Sequence, residues 1–214
     1  MYRTVAWRTI RTAGLVTLTD AVLAFPIAFY MAKVASRRGK ALLVVAILMP
    51  LWSSYLVKVL SWRTMLSQNG VINWALEPFG LHGPGYGLTA VWLVMSYLWL
   101  PYMILPIYAG LERIPNSLIS ASEDLGAAPF TTFRRVILPL AFPAVVAGSI
   151  FTFSLTLGDF ITVRLVSKSQ FIGTVIASSI TNDLPFAAAL ALVPIVVMIA
   201  YLLVARKLGA FEHI

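Results

Sequence analysis

GLTAVWLVMSYLWLPYMILPIYAGL, Gly87 to Leu111, is an unbroken run of twenty-five residues without a charged side chain. At about 1.5 Å per residue, a helix of that length exceeds the roughly 30 Å hydrocarbon core of a bilayer. Such a run predicts a membrane-spanning helix, because a helix satisfies its own backbone polar groups where no water is present. Working outward, four more stretches are close to the roughly 20 predominantly apolar residues a span needs: 12–34, 41–60, 140–163 and 187–205. The predicted fold class is all-α, a polytopic helical membrane protein of about five spans forming a single transmembrane domain over 1–214. Pro26, Pro50, Pro101, Pro106, Pro143 and Pro194 lie within these spans and predict kinks, which packed bundles tolerate. Gly148 and Ser149 are small enough to predict a close helix contact.

Composition points the same way. The chain is 60% hydrophobic and 11% charged, with a mean hydropathy of +0.89, whereas an ordinary soluble domain carries about 25% charged residues. So few charges cannot coat a globule, but they suit a surface that faces lipid. The net charge of +8 comes from sixteen Lys and Arg that flank the apolar runs. They read as membrane anchors, not as a nucleic-acid-binding stripe. The absence of Cys excludes disulfides and thiolate metal sites, and His82 and His213 stand far apart outside any metal-binding motif. The first apolar run is too long for a signal-peptide core and has no clear cleavage site.

Basic residues also predict orientation. Lys33, Arg37, Arg38 and Lys40, then Arg113, Arg134 and Arg135, then Arg206 and Lys207 narrowly outnumber the basic residues on the opposite side. By the positive-inside rule the larger set is cytoplasmic. The N-terminus, with Arg3, Arg8 and Arg11, is then outside. Of the outer loops, 61–86 contains Trp62, Trp74, Asn69-Gly70 and a Gly-Pro-Gly at 83–85, which predict a turn and a short interfacial helix over 71–79. The other, 167–185, reads as short and polar.

The cytoplasmic loop 112–139 is the most informative connection. Leu118, Ala121 and Leu125 fall at helical spacing, and Gly126 can stop that helix with a positive φ. Pro129 fits the first turn of a second short helix with Phe130, Phe133 and Val136 on one face, which Pro139 is expected to end. The predicted unit is a helix–turn–helix with exposed aromatic residues. It serves either as a docking ridge for a partner or as packing for its own bundle.

Ser120-Ala121-Ser122-Glu123-Asp124-Leu125-Gly126-Ala127, followed by Phe133 and Leu138-Pro139-Leu140, resembles the EAA loop of binding-protein-dependent ABC importer permeases. That motif runs Glu-Ala-Ala, three residues, Gly, and a Leu-Pro about a dozen residues later. Ser120 stands where the family usually has Glu, and Ser122 where it has Ala. The resemblance extends over essentially the whole chain. Pro50-Leu51-Trp52-Ser53-Ser54, Ser61-Trp62-Arg63, Leu66 to Gly70 with Asn73-Trp74, and Gly158-Asp159-Phe160-Ile161-Thr162 are similar to the spermidine/putrescine branch. It implies the type I importer permease fold in a bacterial inner membrane. It also implies that Ser120, Ala121, Ser122, Asp124, Gly126, Ala127, Phe133, Leu138 and Pro139 belong to an ATPase-coupling loop. The implied partners are a cytoplasmic ATPase dimer that binds ATP and Mg, a second permease subunit in a homo- or heterodimer, and a periplasmic or lipid-anchored binding protein. Family members usually have six spans, so the first is expected to be missing here, through truncation or a misassigned start.

Two carboxylates lie within spans, where each costs roughly 2.5–3.5 kcal/mol at a helix centre. Asp20 is either part of a cation pathway or a bridge to a neighbouring helix. Asp159 either lines the pathway or is an interfacial carboxylate paired with Arg164. Trp52, Tyr55 and Trp62 offer cation–π contacts, or serve as an interface belt. The expected function is import of a polyamine or similar organic cation, the alternative being an amino-acid-like or other small solute. Two further classes fit less well. An intramembrane aspartyl protease would need a glycine where Thr156 stands, and a secondary transporter would be expected to show an internal repeat. The chain contains no phosphate-binding Gly-x-x-x-x-Gly-Lys-[Ser/Thr] loop, so hydrolysis of ATP is assigned to a separate subunit.

Overall fold

The computed structural model of the chain describes residues 2–208, all of its regular structure helical. His213 lies outside the described residues. Four helical rods are long and apolar enough to cross a membrane: Tyr2–Val34, Leu88–Arg113, Pro129–Gly158 and Leu184–Lys207. A bent pair, Arg37–Trp52 and Tyr55–Met65, makes a fifth.

The centre is a three-helix packing of α1 (Tyr2–Phe29), α5 (Leu88–Arg113) and α8 (Leu138–Gly158). Buried positions on α1 recur every three or four residues (Ala13, Val16, Asp20, Ala24, Ala28), which makes one helical face. Val16 meets Val91 and Val94, whereas Ala24 and Ala28 meet Met103 and Ile107, so α1 and α5 run parallel. Phe153 and Leu157, near the end of α8, meet Ala13, so α8 runs back antiparallel to them. Gly148 is where α8 touches α5. A Cβ there would lie 2.8 Å from Met103 Sδ and 3.2 Å from the Met103 carbonyl oxygen, so only glycine allows the approach. Outside this core, α11 (Leu184–Lys207) is held by Tyr201. Its ring stacks on Phe153 with centroids 4.3 Å apart, and its hydroxyl donates to Ser149 Oγ at 2.7 Å.

Several expected boundaries are corrected. The first helix begins at Tyr2, not near residue 12, because nothing between them breaks a helix and arginine is a good helix former. Arg3, Arg8 and Arg11 are therefore helical. The expected single span 41–60 is two helices, α2 (Arg37–Trp52) and α3 (Tyr55–Met65), meeting at 90°. Ser53 and Ser54 are extended there, and the Pro50 carbonyl left at the break accepts from Ser53 Oγ at 2.9 Å and Lys58 Nζ at 3.1 Å. The expected span 140–163 also breaks. α8 stops at Gly158, Asp159 is extended, and α9 (Ile161–Val166) restarts with the Thr162 N–H donating to Asp159 Oδ1 at 3.0 Å.

Pro139 does not end a helix as expected. α7 (Pro129–Thr132) continues into α8 through a π-helical turn at Phe133–Ile137, where the Leu138 N–H reaches back to the Phe133 carbonyl. The wider turn absorbs the missing proline donor, a use for which π-bulges are suited. The loop 167–185 is not simply polar. It contains α10 (Ile172–Ser179), whose Ile172 N–H donates to Thr9 Oγ1 of α1 at 3.0 Å. The outer loop 61–86 forms α4 (Val71–Leu76) and a 3₁₀ turn at Glu77–Phe79, as the sequence predicts. Asn73 ties it together by donating to the Ser67 and Gln68 carbonyls and accepting from Gly83 N–H at 2.6 Å.

Candidate functional site

Two regions hold the residues singled out from sequence. The first is the loop between α5 and α8. Its helix α6 (Asn116–Asp124) has no buried residue. Gly126 takes φ +77°, its N–H donates to the Glu123 carbonyl at 2.8 Å, and the next N–H, of Ala127, reaches the Ser122 carbonyl at 3.1 Å. That pair of bonds is the Schellman arrangement, which needs a left-handed residue at the turn. Ser122 Oγ and Thr132 Oγ1, 2.9 Å apart, pin α6 to α7. The residues then divide by exposure. Ser120, Ala121, Asp124 and Gly126 face out, and Leu125 and Phe130 are 88% and 71% exposed. Leu138 and Pro139 are exposed on the first turn of α8. Ser122 and Ala127 are half-buried, and Phe133 packs edge-on against Phe25 and Phe29 of α1. Phe133 is thus not part of an exposed aromatic ridge, because the π-helical turn rotates it onto the bundle.

Two lysines read from sequence only as topology signals make bonds here: Lys33 anchors this loop, and Lys40, on α2, ties the end of the first helical rod to the end of α5. Lys33 Nζ donates to the Ile114 carbonyl at 2.6 Å and to Asn116 Oδ1 at 3.2 Å. Lys40 Nζ donates to the Ala32 carbonyl at 2.9 Å and lies 3.2 Å from Glu112 Oε1, the one ion pair among the described residues. No pattern in the sequence distinguishes them from other cytoplasmic lysines, since both bonds reach across long separations.

The second region is where the two broken spans meet. Tyr55, the first residue of α3, donates its hydroxyl to Asp159 Oδ1 at 2.6 Å. Thr162 Oγ1 donates to Asp159 Oδ2 at 2.6 Å, and the Tyr55 and Thr162 oxygens are 2.8 Å apart. Tyr55 stacks on Trp99 of α5 with centroids 5.9 Å apart at 12°, and Trp99 leans on Tyr102. Asp159 is half-buried and makes no ion pair among the described residues; Arg164, its partner in the interfacial alternative, is exposed one turn along α9. Trp62 packs on Tyr97, on the same side of α5, whereas Trp52 is 88% exposed and outside the cluster. Asp20 is also separate. It is fully buried on α1, and among the described residues neither its oxygens nor the Ser96 hydroxyl of α5 have a hydrogen-bond partner. Trp99, Tyr102 and Thr162 were not singled out from sequence; Thr162 sits at the third position after Asp159, where a local capping bond was readable.

Residues 8–210 match the family described as "Binding-protein-dependent transport system inner membrane component". The chain is 46% identical over 223 residues to "Inner membrane ABC transporter permease protein YdcU" of Escherichia coli (strain K12), covering 96% of this chain and 71% of that protein. It is 31% identical over 200 residues to "Spermidine/putrescine transport system permease protein PotB" of Haemophilus influenzae, covering 90% and 70%. In fold it is similar to a bacterial alginate ABC transporter in complex with its pentasaccharide-bound periplasmic protein, with TM-score 0.78, 18% identity and coverage of 96% and 77%. The inward-facing MetNI methionine ABC transporter is similar too, with TM-score 0.71, 17% identity and coverage of 95% and 93%. With the family match spanning nearly the whole chain and the same fold recurring in solved importers, this chain belongs to the binding-protein-dependent transport system inner membrane components and is a permease subunit of an ABC importer.

Proposed function

We propose that this permease imports a small organic cation of the polyamine type, and that Asp159 contacts it. The observation that carries this reading is the state of the Asp159 carboxylate. Three neutral donors hold it, no cationic side chain among the described residues neutralises it, and it stands where two spans are interrupted. Irregular backbone at membrane depth is tolerated where it lines a cavity or is buried in protein. An incoming ammonium would complete the ion pair, and the Tyr55 and Trp99 faces would add cation–π attraction of about 0.5–2 kcal/mol each. The relatives named as spermidine/putrescine permeases support the substrate class.

On this reading the substrate arrives from a periplasmic binding protein and passes between this chain and a second permease subunit. The driving force comes from a cytoplasmic ATPase pair that binds ATP and Mg. The part played by this chain is mechanical. The α6–α7 unit, with exposed Leu125 and Phe130, offers an apolar contact to the ATPase, and Lys33 carries its displacement into the first helical rod.

The test is Asp159→Asn in the assembled transporter, which keeps the shape and removes the charge. Uptake of labelled putrescine is expected to fall about tenfold or more, since a hydrogen bond to a charged group contributes about 1.5–3 kcal/mol. Assembly and basal ATPase activity should be unchanged, and Asp20→Asn should have a smaller effect. Unchanged uptake would remove Asp159 from the pathway. A wild-type transporter that takes up no cationic amine would end the substrate reading, leaving family membership intact.

A further inference from the structure

A cavity of about 390 Å³ opens between the first turns of α1 and the start of α5, lined among others by Trp7, Arg8, Arg11 and Thr12 of the former and Leu88 and Trp92 of the latter. Its volume is in the range of small-molecule pockets. Neither arginine has an ion-pair partner among the described residues, and Arg8 makes only a 3.3 Å bond to the Gln170 carbonyl. Trp92 has its N–H committed to Thr19 Oγ1 at 3.0 Å, so it presents its ring face as an apolar wall.

A helical ruler sets the depth. Lys33 marks the end of the Tyr2–Val34 rod beside the α6 loop, where it bonds Ile114 and Asn116. Arg11 lies about 33 Å and Arg8 about 37 Å back along the rod at 1.5 Å per residue. The hydrocarbon core is about 30 Å thick, so both guanidiniums stand at the headgroup level of the leaflet opposite α6. Trp7, 66% exposed, lies at the same level, which is the usual depth for an indole.

We infer that this cavity is a phospholipid site, with the Arg8 and Arg11 guanidiniums binding the phosphodiester and the apolar wall of Leu88 and Trp92 receiving the start of an acyl chain. Paired planar guanidiniums match phosphate oxygens in geometry as well as charge. The ligand is a lipid and not a free anion because the cationic rim is continuous with apolar side chains that descend into the bilayer.

The test uses the full chain purified in detergent, delipidated, and titrated with phosphatidylglycerol, with diacylglycerol of the same chains, and with inorganic phosphate, bound ligand being counted by native mass spectrometry. One phosphatidylglycerol should bind per chain with an affinity at least tenfold above that of diacylglycerol or phosphate. The double variant Arg8→Gln with Arg11→Gln should lose that preference, and the double Lys variant should recover part of it. Arg63→Gln, on α3, should behave as wild type, and circular dichroism should show all variants equally helical. Equal binding of diacylglycerol would reduce the cavity to an unspecific apolar surface. Equal binding of phosphate would make it an ion site. Retained phosphatidylglycerol preference in the double Gln variant would place the lipid elsewhere; each of these results overturns the inference.

Discussion

Tyr55 makes one hydrogen bond to Asp159 and one aromatic stack on Trp99, and a substitution can separate them. Tyr55→Phe keeps the ring and removes the donor to a charged acceptor, worth about 1.5–3 kcal/mol. The proposed pathway then predicts a rise in the KM for putrescine of roughly tenfold, with the amount of permease in the membrane unchanged. A wild-type KM would mean that Thr162 alone positions the carboxylate. At this scale the sequence was partly legible. Asp159 and Tyr55 stand out by residue type, but the partner that the sequence suggests for Asp159, in its interfacial alternative, is Arg164. The helix restart at Ile161 turns Thr162 back toward Asp159 and Arg164 outward, which no count along the chain could tell without knowing where the helix breaks.

Among the elements, the α6–α7 unit is the clearest case of local signals agreeing. Gly126 occupies the left-handed turn and Pro129 opens α7, both at the predicted positions. At φ +77° a β-branched residue is strained by about 1–3 kcal/mol, although the space beside Gly126 is open. Gly126→Val is therefore expected to cut ATP-driven uptake at least tenfold while the protein still inserts, and Gly126→Asn, which tolerates this conformation, should retain most of it. Uptake at the wild-type rate in Gly126→Val would show that the loop only packs on its own bundle. Pro139 and Ser53-Ser54 were misjudged for one reason. Whether a proline or a serine pair breaks a helix depends on what satisfies the freed carbonyls: at Ser53-Ser54 Lys58 does so for the Pro50 carbonyl from eight positions along the chain, and at Pro139 a π-helical turn keeps the helix continuous.

For the whole molecule, five crossings with the α6 loop on the cytoplasmic side predict alternating reporter signals. Fusions after Lys40, Gln68, Arg135, Lys168 and the C-terminus should read inside, outside, inside, outside, inside. An even number of crossings would contradict the arrangement. The shared core gives a second expectation. Gly148→Leu forces a side chain against Met103 at the α5–α8 contact, and overpacking costs about 1–3 kcal/mol. The purified variant should melt several degrees lower, whereas Gly14→Leu, where a Cβ meets nothing within 4 Å, should not.

The sequence by itself determined that the chain is a helical membrane protein, roughly where its long helices lie, and which loop resembles an importer's coupling segment. Those properties depend on hydropathy summed over twenty residues and on glycine and proline acting on their immediate neighbours. Only the tertiary structure decided where spans two and four break, which donors hold Asp159, that Phe133 turns inward, and that Lys33 fastens the α6 loop. The places of Phe133 and Lys33 depend on contacts between residues far apart in the chain, and at Asp159 the local Thr162 bonds combine with one from Tyr55 across 104 positions. The freed groups at the breaks, by contrast, are satisfied by bonds of three to eight positions. In a chain that is apolar on every face, hydrophobic periodicity does not reveal which faces meet.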